Sequence, residues 1–258
     1  MPVPVPVTPS APDTLAAPSR AGAPWRLDAT DTDPEALPLL FHRAHRNLPT
    51  GARIDVAVAP ELPDDLLVDL VAGAGWWRQD GPTDAGGRRV VRVERRHTLA
   101  DSVGPGMRLL VCGINPSPYS ADVGVGYGRP GNRYWPAALA AGIAPVDRDP
   151  VAALAAGTGM TDFAKRATAK ATEVTRAEHE EGFARVTRLV AWLRPGAVCF
   201  VGLSGWRTVV DRLAGPGVQP EPIAGRPAYV MPSTSGLNAR TPPAELARHL
   251  AAAWDLGG

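Results

Sequence analysis

The stretch LLVCGINPSPYS, residues 109–120, decides the fold. LLVCG is a continuous apolar run, which is typical of a β-strand buried on both faces of a parallel sheet. The run ends at Gly113, and Asn115 follows with two prolines close behind it. Ligands of open α/β sheets bind beyond the carboxyl ends of the strands. The stretch therefore predicts a buried strand that delivers Asn115 to a ligand-binding edge.

The rest of the second half repeats this pattern. The runs AVCFVGL (197–203) and RPAYVMP (226–232) predict two more buried strands, and amphipathic helical segments alternate with them. We therefore expect an α/β fold over residues 104–258, a three-layer α/β/α domain with a central, mainly parallel sheet. The loops GINPSPYS and MPSTSGLNAR, which follow the first and last of these strands, are rich in polar side chains.

The first half predicts a smaller α/β segment over residues 25–98: helix, strand, helix and closing β-hairpin. This order resembles the C-terminal part of class I methyltransferase folds. The Gly-rich cofactor loop of those enzymes has no counterpart upstream, so the resemblance implies a scaffold or docking segment rather than methyl transfer. Residues 1–24, rich in Pro and Ala, are expected to be a disordered tail.

Composition narrows the class of function. The 258 residues carry a formal net charge of +1, which argues against a protein that coats or packages nucleic acid. Two cysteines without a CxxC pair offer neither a zinc site nor a disulfide framework. No apolar run is long enough to span a membrane. We expect a monomeric cytoplasmic protein, bacterial and associated with the nucleoid, that needs no metal and no cofactor.

The polar residues at the strand ends favour a reaction whose leaving group departs largely by itself. The five histidines lie on predicted helices or near the junction of the two halves, and GVGYG (124–128) does not sit between a strand and a helix as a dinucleotide loop would. Asn115 cannot take up a proton at neutral pH, but its carbonyl can orient a water molecule. Cleavage of an N-glycosidic bond to a uracil-like base suits such a site, because the base leaves as an anion that backbone N–H groups can stabilise.

Three ordered motifs resemble one family. GINPSPYSADVGVGYGRPGNRYWPAALAAGI, GMTDFAKRATAKATEVTRAE and YVMPSTSGLNAR are similar to the first signature, the middle segment and the closing loop of the mismatch-specific uracil/thymine-DNA glycosylases. These motifs span residues 107–241. The resemblance implies a uracil-DNA glycosylase-like fold and a monofunctional enzyme that flips a base out of double-stranded DNA with a U:G or T:G mismatch.

The same resemblance assigns roles residue by residue. Asn115 matches the residue that positions the hydrolytic water, Tyr127 the aromatic that stacks on the flipped base, and Leu237 the wedge that fills the hole left behind. A structural role as a core ring remains open for Tyr127. The other assignments are Ile114 in the pocket lining, Asn132 in holding its loop, Ser233 and Ser235 on phosphates, and Gly236, Asn238 and Arg240 facing the widowed partner base.

Two positions depart from the family or vary within it. Ser117 stands where the family has Gly after GINP, which restricts the backbone and adds a hydroxyl to the pocket rim, with an effect on base selection. Asp162 stands where members carry Lys, Asn or Asp. It is either a general base beside Asn115 or the cap of a helix.

The sequence thus predicts a hydrolase of N-glycosidic bonds in base excision repair. An alternative from another class is a non-catalytic protein that binds lesions or mismatches on a glycosylase fold. A nucleic-acid enzyme linked to methyl transfer is a further alternative, which the missing cofactor loop disfavours.

Overall fold

The computed structural model describes residues 14–79, 83–84, 89–238 and 240–258. Each half of the chain builds its own sheet. The first sheet has the strand order β1-β2-β3-β6-β4, with β5 beside β6. Its elements are β1 (Leu15–Ala16), β2 (Trp25–Ala29), α1 (Leu37–Asn47), β3 (Arg53–Val58), α2 (Asp64–Gly73), β4 (Trp76–Arg78), β5 (Thr83–Asp84) and β6 (Arg89–Arg95).

The second sheet has the order β10-β11-β9-β7-β8. Strands β11, β9, β7 and β8 run parallel to one another, and β10 is antiparallel to β11. The elements are β7 (Leu109–Gly113), α3 (Pro118–Val123), α4 (Tyr134–Ala140), α5 (Pro150–Ala155), β8 (Thr158–Asp162), α6 (Arg176–Leu193), β9 (Ala197–Val201), α7 (Leu203–Val209), β10 (Gly217–Val218), β11 (Ala228–Met231) and α8 (Pro243–Asp255).

Helices cover both faces of the second sheet. Successive residues of β7 point to opposite faces, so Leu109 and Val111 pack with α4, α5 and α8, whereas Leu110 and Cys112 pack with α6 and α7. All five residues of β7 are buried, as the apolar run predicts. The expected three-layer α/β/α arrangement with a mainly parallel sheet is confirmed, and it brings the carboxyl ends of the parallel strands to one edge.

Strand β8 is the main element that the sequence reading missed. The apolar residues of DPVAALAAGTGM (149–160) predict a helix, but α5 ends at Ala155 and Gly157 turns the chain at φ +97°. A Cβ at Gly157 would come within 3.2 Å of the Trp254 ring. The strand that follows is TGMTD, whose Gly and Thr residues lack the apolar run that marks β7. Its place at the sheet edge nevertheless carries Asp162 to the functional edge.

The start of the chain also contains strands. Residues 1–13 of the tail predicted over 1–24 lie outside the described residues, whereas Leu15–Ala16 pairs with β2 as an antiparallel strand. Strand β2, WRLDA, has no counterpart in the sequence reading and pairs in parallel with β3.

The two halves touch through α1, α2 and the junction around Asp101. His42 and His45 of α1 contact the backbone oxygens of Asp101 and Thr98, at 3.2 and 3.1 Å. Arg188 of α6 forms an ion pair with Asp69 of α2 at 2.6 Å. The first half therefore packs directly behind the edge of the second sheet. No helix in the described ranges is long and apolar enough to cross a membrane.

Candidate active site

A pocket of about 160 Å³ opens at the carboxyl edge of the second sheet. Strands β7, β8, β9 and β11 each supply a lining residue at or just after their last residue, such as Asn115, Asp162, Val201 and Ser233. The residues that the sequence predicted for the site and that line this one pocket are Ile114, Asn115, Ser117, Tyr127, Asn132, Asp162, Ser233 and Ser235.

The hydrogen bonds of Asn115 fix the orientation of its side-chain amide. The Thr168 hydroxyl donates its only hydrogen to the Lys170 carbonyl oxygen at 2.8 Å, so it must accept a hydrogen from Asn115, 2.7 Å away. The Pro116 carbonyl oxygen, 2.9 Å from the same amide atom, is likewise an acceptor. The amide nitrogen is therefore turned toward Thr168, and the carbonyl oxygen Oδ1 is left to accept a hydrogen from a water molecule.

Asp162 is the last residue of β8, and its carboxylate faces the pocket. A Cβ placed on Gly113, its register partner in β7, would come within 2.2 Å of Asp162 Oδ1, so only glycine fits there. The helix-cap alternative for Asp162 is wrong, because the helical segments that follow it are capped at Lys170 and Thr175. The carboxylate is thus placed for chemistry or for binding.

Loss of solvation on burial, with a smaller contribution from the negative charge of Asp101, raises the pKa of Asp162 to about 6. The nearby cations Lys165 and Arg185 oppose this shift, but their side chains are bound to Asp101 rather than to the Asp162 carboxylate. Arg185 reaches only the Asp162 backbone oxygen, at 2.8 Å. Asp162 is therefore a carboxylate whose pKa lies close to neutral pH, as a general base requires.

Asp101 anchors a buried ionic cluster behind the pocket. Its carboxylate lies 2.7 Å from Arg185, 2.8 Å from Lys165 and 2.7 Å from the Thr161 hydroxyl. These two cations hold the pKa of Asp101 below its ordinary value although burial acts in the opposite direction. The cluster ties the junction of the two halves to α6 and to β8, which carries Asp162 of the pocket lining.

Tyr127 adopts a backbone conformation that a bulky residue rarely takes, with φ +56°. One face of its ring stacks on Tyr134 with centroids 4.3 Å apart. Its hydroxyl is buried, receives no hydrogen bond from a described residue, and approaches the same point beside Gly113 as the Asp162 carboxylate. Strained backbone of this kind is concentrated at functional sites. Tyr127 therefore combines packing against the core with a position in the pocket wall.

Ser117 has an ordinary backbone conformation, with φ −76°, so this position does not require glycine. Its hydroxyl accepts a hydrogen bond from the Ser120 backbone N–H at 3.1 Å and caps α3. The same oxygen lies 3.1 Å from the Ser120 hydroxyl. Ser117 therefore contributes a hydroxyl to the pocket wall that is held in place by the start of α3.

The loop before α4 holds the closing loop, which comprises residues 232–241. Asn132 accepts a hydrogen bond from the Tyr134 N–H at 2.9 Å, the loop-holding role expected for it. Arg133 donates to backbone oxygens of Ser235, Asn238 and Thr241, and its own N–H donates to Thr234 O at 2.9 Å. One guanidinium thus spans the closing loop from end to end.

The tip of the closing loop is a tight turn from Ser235 to Asn238, closed by a backbone hydrogen bond of 2.9 Å. Leu237 stands at this tip with 87% of its surface exposed. Gly236 packs on the neighbouring loop, because a Cβ there would meet the Gly131 carbonyl oxygen at 2.8 Å. An exposed leucine on a braced turn is the geometry that a wedge needs.

The polar residues of the closing loop are partly committed to the loop itself. The Asn238 side chain donates to the Ser233 carbonyl oxygen at 2.8 Å, so only its amide oxygen could meet a partner base. Ser233 and Ser235 accept hydrogen bonds from the N–H groups of Ser235 and Leu237, which leaves each hydroxyl hydrogen available to a phosphate. Arg240 is exposed.

A larger groove of about 390 Å³ lies between α2 and α6. Its walls are mostly apolar, including Leu66, Leu70 and Trp192, and its charged pair Asp69–Arg188 is already joined. The smaller pocket, with unpaired polar groups, is the better candidate for chemistry. The described part of the chain contains no group of three or more His, Cys, Asp or Glu placed to hold a metal ion.

Sequence reasoning missed three residues that organise the site: Thr168, Arg133 and Asp101. Thr168 and Arg133 both lie inside the motifs, in KRAT and GNRYW, but their roles depend on backbone oxygens contributed by other loops. Asp101 lies in the junction DSVGPG, where the sequence offers no partner for it. Only the folded chain brings Arg185, 84 positions away, onto its carboxylate.

A comparison with known families agrees with this site. Residues 100–256 match the family model described as the Uracil DNA glycosylase superfamily. The match begins one residue before Asp101 and covers the whole second sheet and every residue of the pocket lining except Leu99. Membership of this superfamily supports a DNA glycosylase function in general. The chain belongs to the uracil DNA glycosylase superfamily.

Proposed function

We propose that this protein is a monofunctional, mismatch-specific uracil-DNA glycosylase of base excision repair. It hydrolyses the N-glycosidic bond of uracil, and of thymine or related bases, in mismatched double-stranded DNA. The observation that carries the proposal is the fixed amide of Asn115 in the pocket lining, whose nitrogen is bound to Thr168 and Pro116 so that its oxygen is left to accept from a water. The exposed Leu237, in the turn that begins at the pocket-lining Ser235, supports it.

In this mechanism the base leaves the duplex and enters the pocket, and Leu237 fills the gap in the stack. A mismatched U or T costs least to extrude, which favours U:G and T:G substrates. Tyr127 stacks on the base, and the Ser233 and Ser235 hydroxyls bind adjacent phosphates. Asn115 Oδ1 holds a water below C1′, and the water attacks as the base departs as an anion.

Asp162 acts as a second catalytic group beside Asn115. An amide can orient water but cannot take its proton, whereas a carboxylate with a pKa near 6 can do so at neutral pH. A general base that activates the water makes the reaction depend less on how readily the nucleobase departs. The range of nucleobases removed is therefore wider. The Ser117 hydroxyl in the pocket wall adds a hydrogen-bonding group that contributes to base selection.

Residues 25–98 serve as a scaffold or docking segment, as their resemblance to the end of a methyltransferase fold suggests. The chain accordingly divides at the junction 101–106 into this segment and a glycosylase domain over 104–258. Binding of S-adenosylmethionine to the protein would contradict a purely structural role for the segment.

The direct test is incubation with oligonucleotides that contain U:G, T:G, U:A or single-stranded U, followed by alkali cleavage. We expect strand cleavage at U:G above all. Binding of the U:G duplex without cleavage of any of these substrates would indicate a lesion-binding protein and would contradict the proposal.

Replacement of Asp162 by asparagine tests the base role. We expect the single-turnover rate on U:G at pH 7 to fall about 10- to 100-fold, because proton transfer is lost while the shape is retained. In the unmodified protein the rate should decline as the pH falls below about 6, where Asp162 becomes protonated. An unchanged rate for D162N, with the same decline at low pH, would rule out the base role.

Replacement of Thr168 by valine tests the amide orientation. Valine keeps the shape but removes the hydroxyl that accepts from Asn115, so the amide is free to turn and the water is misplaced. We expect the single-turnover rate to fall about 10-fold with little change in duplex affinity. Thr168→Ser retains the hydroxyl and should stay near the unmodified rate. Equal rates for the valine and serine variants would contradict the role of Thr168.

Replacement of Leu237 by alanine tests the wedge. Without the leucine nothing apolar replaces the extruded base in the stack, so we expect a rate on U:G lower by about 10-fold or more. Leu213, which is 82% exposed and lies after α7, offers a matched control. Leu213→Ala should leave excision unchanged. If both variants excise uracil at the unmodified rate, Leu237 is no wedge.

A further inference from the structure

A small recess lies behind the pocket, between the two halves of the chain. Its volume is about 20 Å³, enough for one water molecule. The residues that line it include His42 of α1, Tyr127 and Asp162, together with Leu99 and Met160. Among the described residues 25–79, 83–84 and 89–98 of the first half, His42 is the one that lines this space.

The imidazole of His42 presents an acceptor to this space. Its Nδ1 lies 3.2 Å from the Asp101 backbone oxygen, which can only accept, so Nδ1 carries the hydrogen. Burial, and secondarily the charge of Arg46, lowers the pKa of His42 to about 4, which keeps the ring neutral at pH 7. Nε2 is therefore a bare lone pair, and no described residue donates to it.

Two further polar groups, one donor and one acceptor, accompany the His42 acceptor in this space. The buried Tyr127 hydroxyl is a donor that has no partner among the described residues. The Asp162 carboxylate is an acceptor, and its Oδ1 and the Tyr127 hydroxyl lie 2.2 and 3.0 Å from the Cβ position that Gly113 leaves empty. A water can donate to His42 Nε2 and to Asp162 while accepting from Tyr127. Three hydrogen bonds are the usual complement of a buried water.

We propose that His42 is a positioning residue of the pocket, and that it acts through one buried water that joins its Nε2 to the Asp162 carboxylate and the Tyr127 hydroxyl. The water donates to the charged form of Asp162 and fixes the direction of its carboxylate. It also satisfies the hydroxyl of the strained Tyr127. Residues 25–98 thereby contribute to the floor of the base pocket, beyond a role as scaffold. The consequence for catalysis rests on the proposed base role of Asp162.

The charge around Asp162 comes from several elements, and the test must hold it constant. The groups that face or influence the Asp162 carboxyl are Lys165 after β8, Arg185 on α6, Asp101 in the junction, Cys112 on β7, Tyr127 in the loop after α3, and His42 on α1. His42 is neutral, so its replacement by phenylalanine changes the hydrogen bonding without changing the charge.

His45 provides a matched control on the same helix. It is buried like His42, its Nε2 contacts the Thr98 backbone oxygen at 3.1 Å, and its Nδ1 has no partner in the described chain. It does not line the space beside Asp162. Its replacement removes an equally buried imidazole from the contact between the two halves and leaves the proposed water in place.

The experiment is a carbon-13 NMR titration of the Asp162 carboxyl, assigned with D162N, in the unmodified protein and in H42F, H45F and H42Q. We expect H42F to raise the pKa of Asp162 by about one unit, because a hydrogen bond to the charged form is lost. H45F should leave it unchanged, and H42Q, which restores an acceptor, should stay close to the unmodified value. The acid limb of uracil excision should move with the carboxyl titration.

The outcomes separate this inference from the proposed function. An Asp162 titration that is the same in H42F, or that moves equally in H45F, overturns the role of His42. Absence of uracil excision by the unmodified protein instead overturns the proposed function. A further check needs no variant: a magnetisation transfer from water to the His42 ring is expected in the folded protein, and its absence contradicts the buried water.

Discussion

Replacement of Asn115 by alanine is expected to lower the single-turnover rate of uracil excision from U:G DNA by about 10²- to 10⁴-fold. Alanine removes Asn115 Oδ1, the acceptor that is left when Thr168 and the Pro116 carbonyl bind the amide nitrogen. The attacking water therefore loses its position. The rate is measured with enzyme in excess over duplex, so that product release does not mask the chemical step.

The binding of U:G DNA should survive this change, because Leu237 and the serines of the closing loop remain. Asn47→Ala serves as the control, since this amide lies at the end of α1, outside the pocket. A tight-binding but inactive N115A would agree with a positioned water. An N115A variant as fast as N47A would show that another group positions the water.

Replacement of Asp101 by asparagine is expected to lower the free energy of unfolding by about 3–5 kcal/mol. The carboxylate neutralises Arg185 and Lys165 in a buried cluster, and loss of one partner leaves the other charges uncompensated. Because the folded-state pKa of Asp101 lies below its ordinary value, this stabilisation is complete above that ordinary value and is lost as the pH falls through the folded-state pKa.

Urea denaturation of D101N and D69N at pH 7 gives the comparison. The Asp69–Arg188 pair joins the same two halves, but the Arg188 side chain is 53% exposed, so its loss should cost less than about 1 kcal/mol. An equal loss in the free energy of unfolding for the two variants would contradict the larger contribution to stability assigned to Asp101. D101N should also alter the pKa of Asp162, since it releases two cations beside that carboxylate.

The strands of the second sheet differ in how far the sequence reveals them. Strand β7 is predicted from LLVCG because burial on both faces demands an unbroken apolar run. Strand β8 serves the same sheet with TGMTD, where Gly159 allows the Met107 side chain to approach the backbone. The glycine that this close packing requires interrupts the apolar run, so the sequence pattern does not predict β8 as a strand.

The site residues divide in a similar way. Asn115 and Leu237 are predictable because each stands in a motif and carries its own chemistry. The choice between base and cap for Asp162 requires the position of the next helical segment, which is capped at Lys170 and which no local pattern around Asp162 reveals. Thr168 and His42 act through atoms of distant segments, at sequence separations that no local pattern encodes.

The central claim is that a water held by Asn115 hydrolyses the bond between uracil and deoxyribose. The most direct measurement is the release of free uracil from a U:G duplex, with the strand examined before alkali treatment and after borohydride. We predict free uracil, an intact strand with one abasic site, and no protein–DNA adduct trapped by borohydride. Strand cleavage with a trapped adduct, or no free uracil at all, would contradict the account.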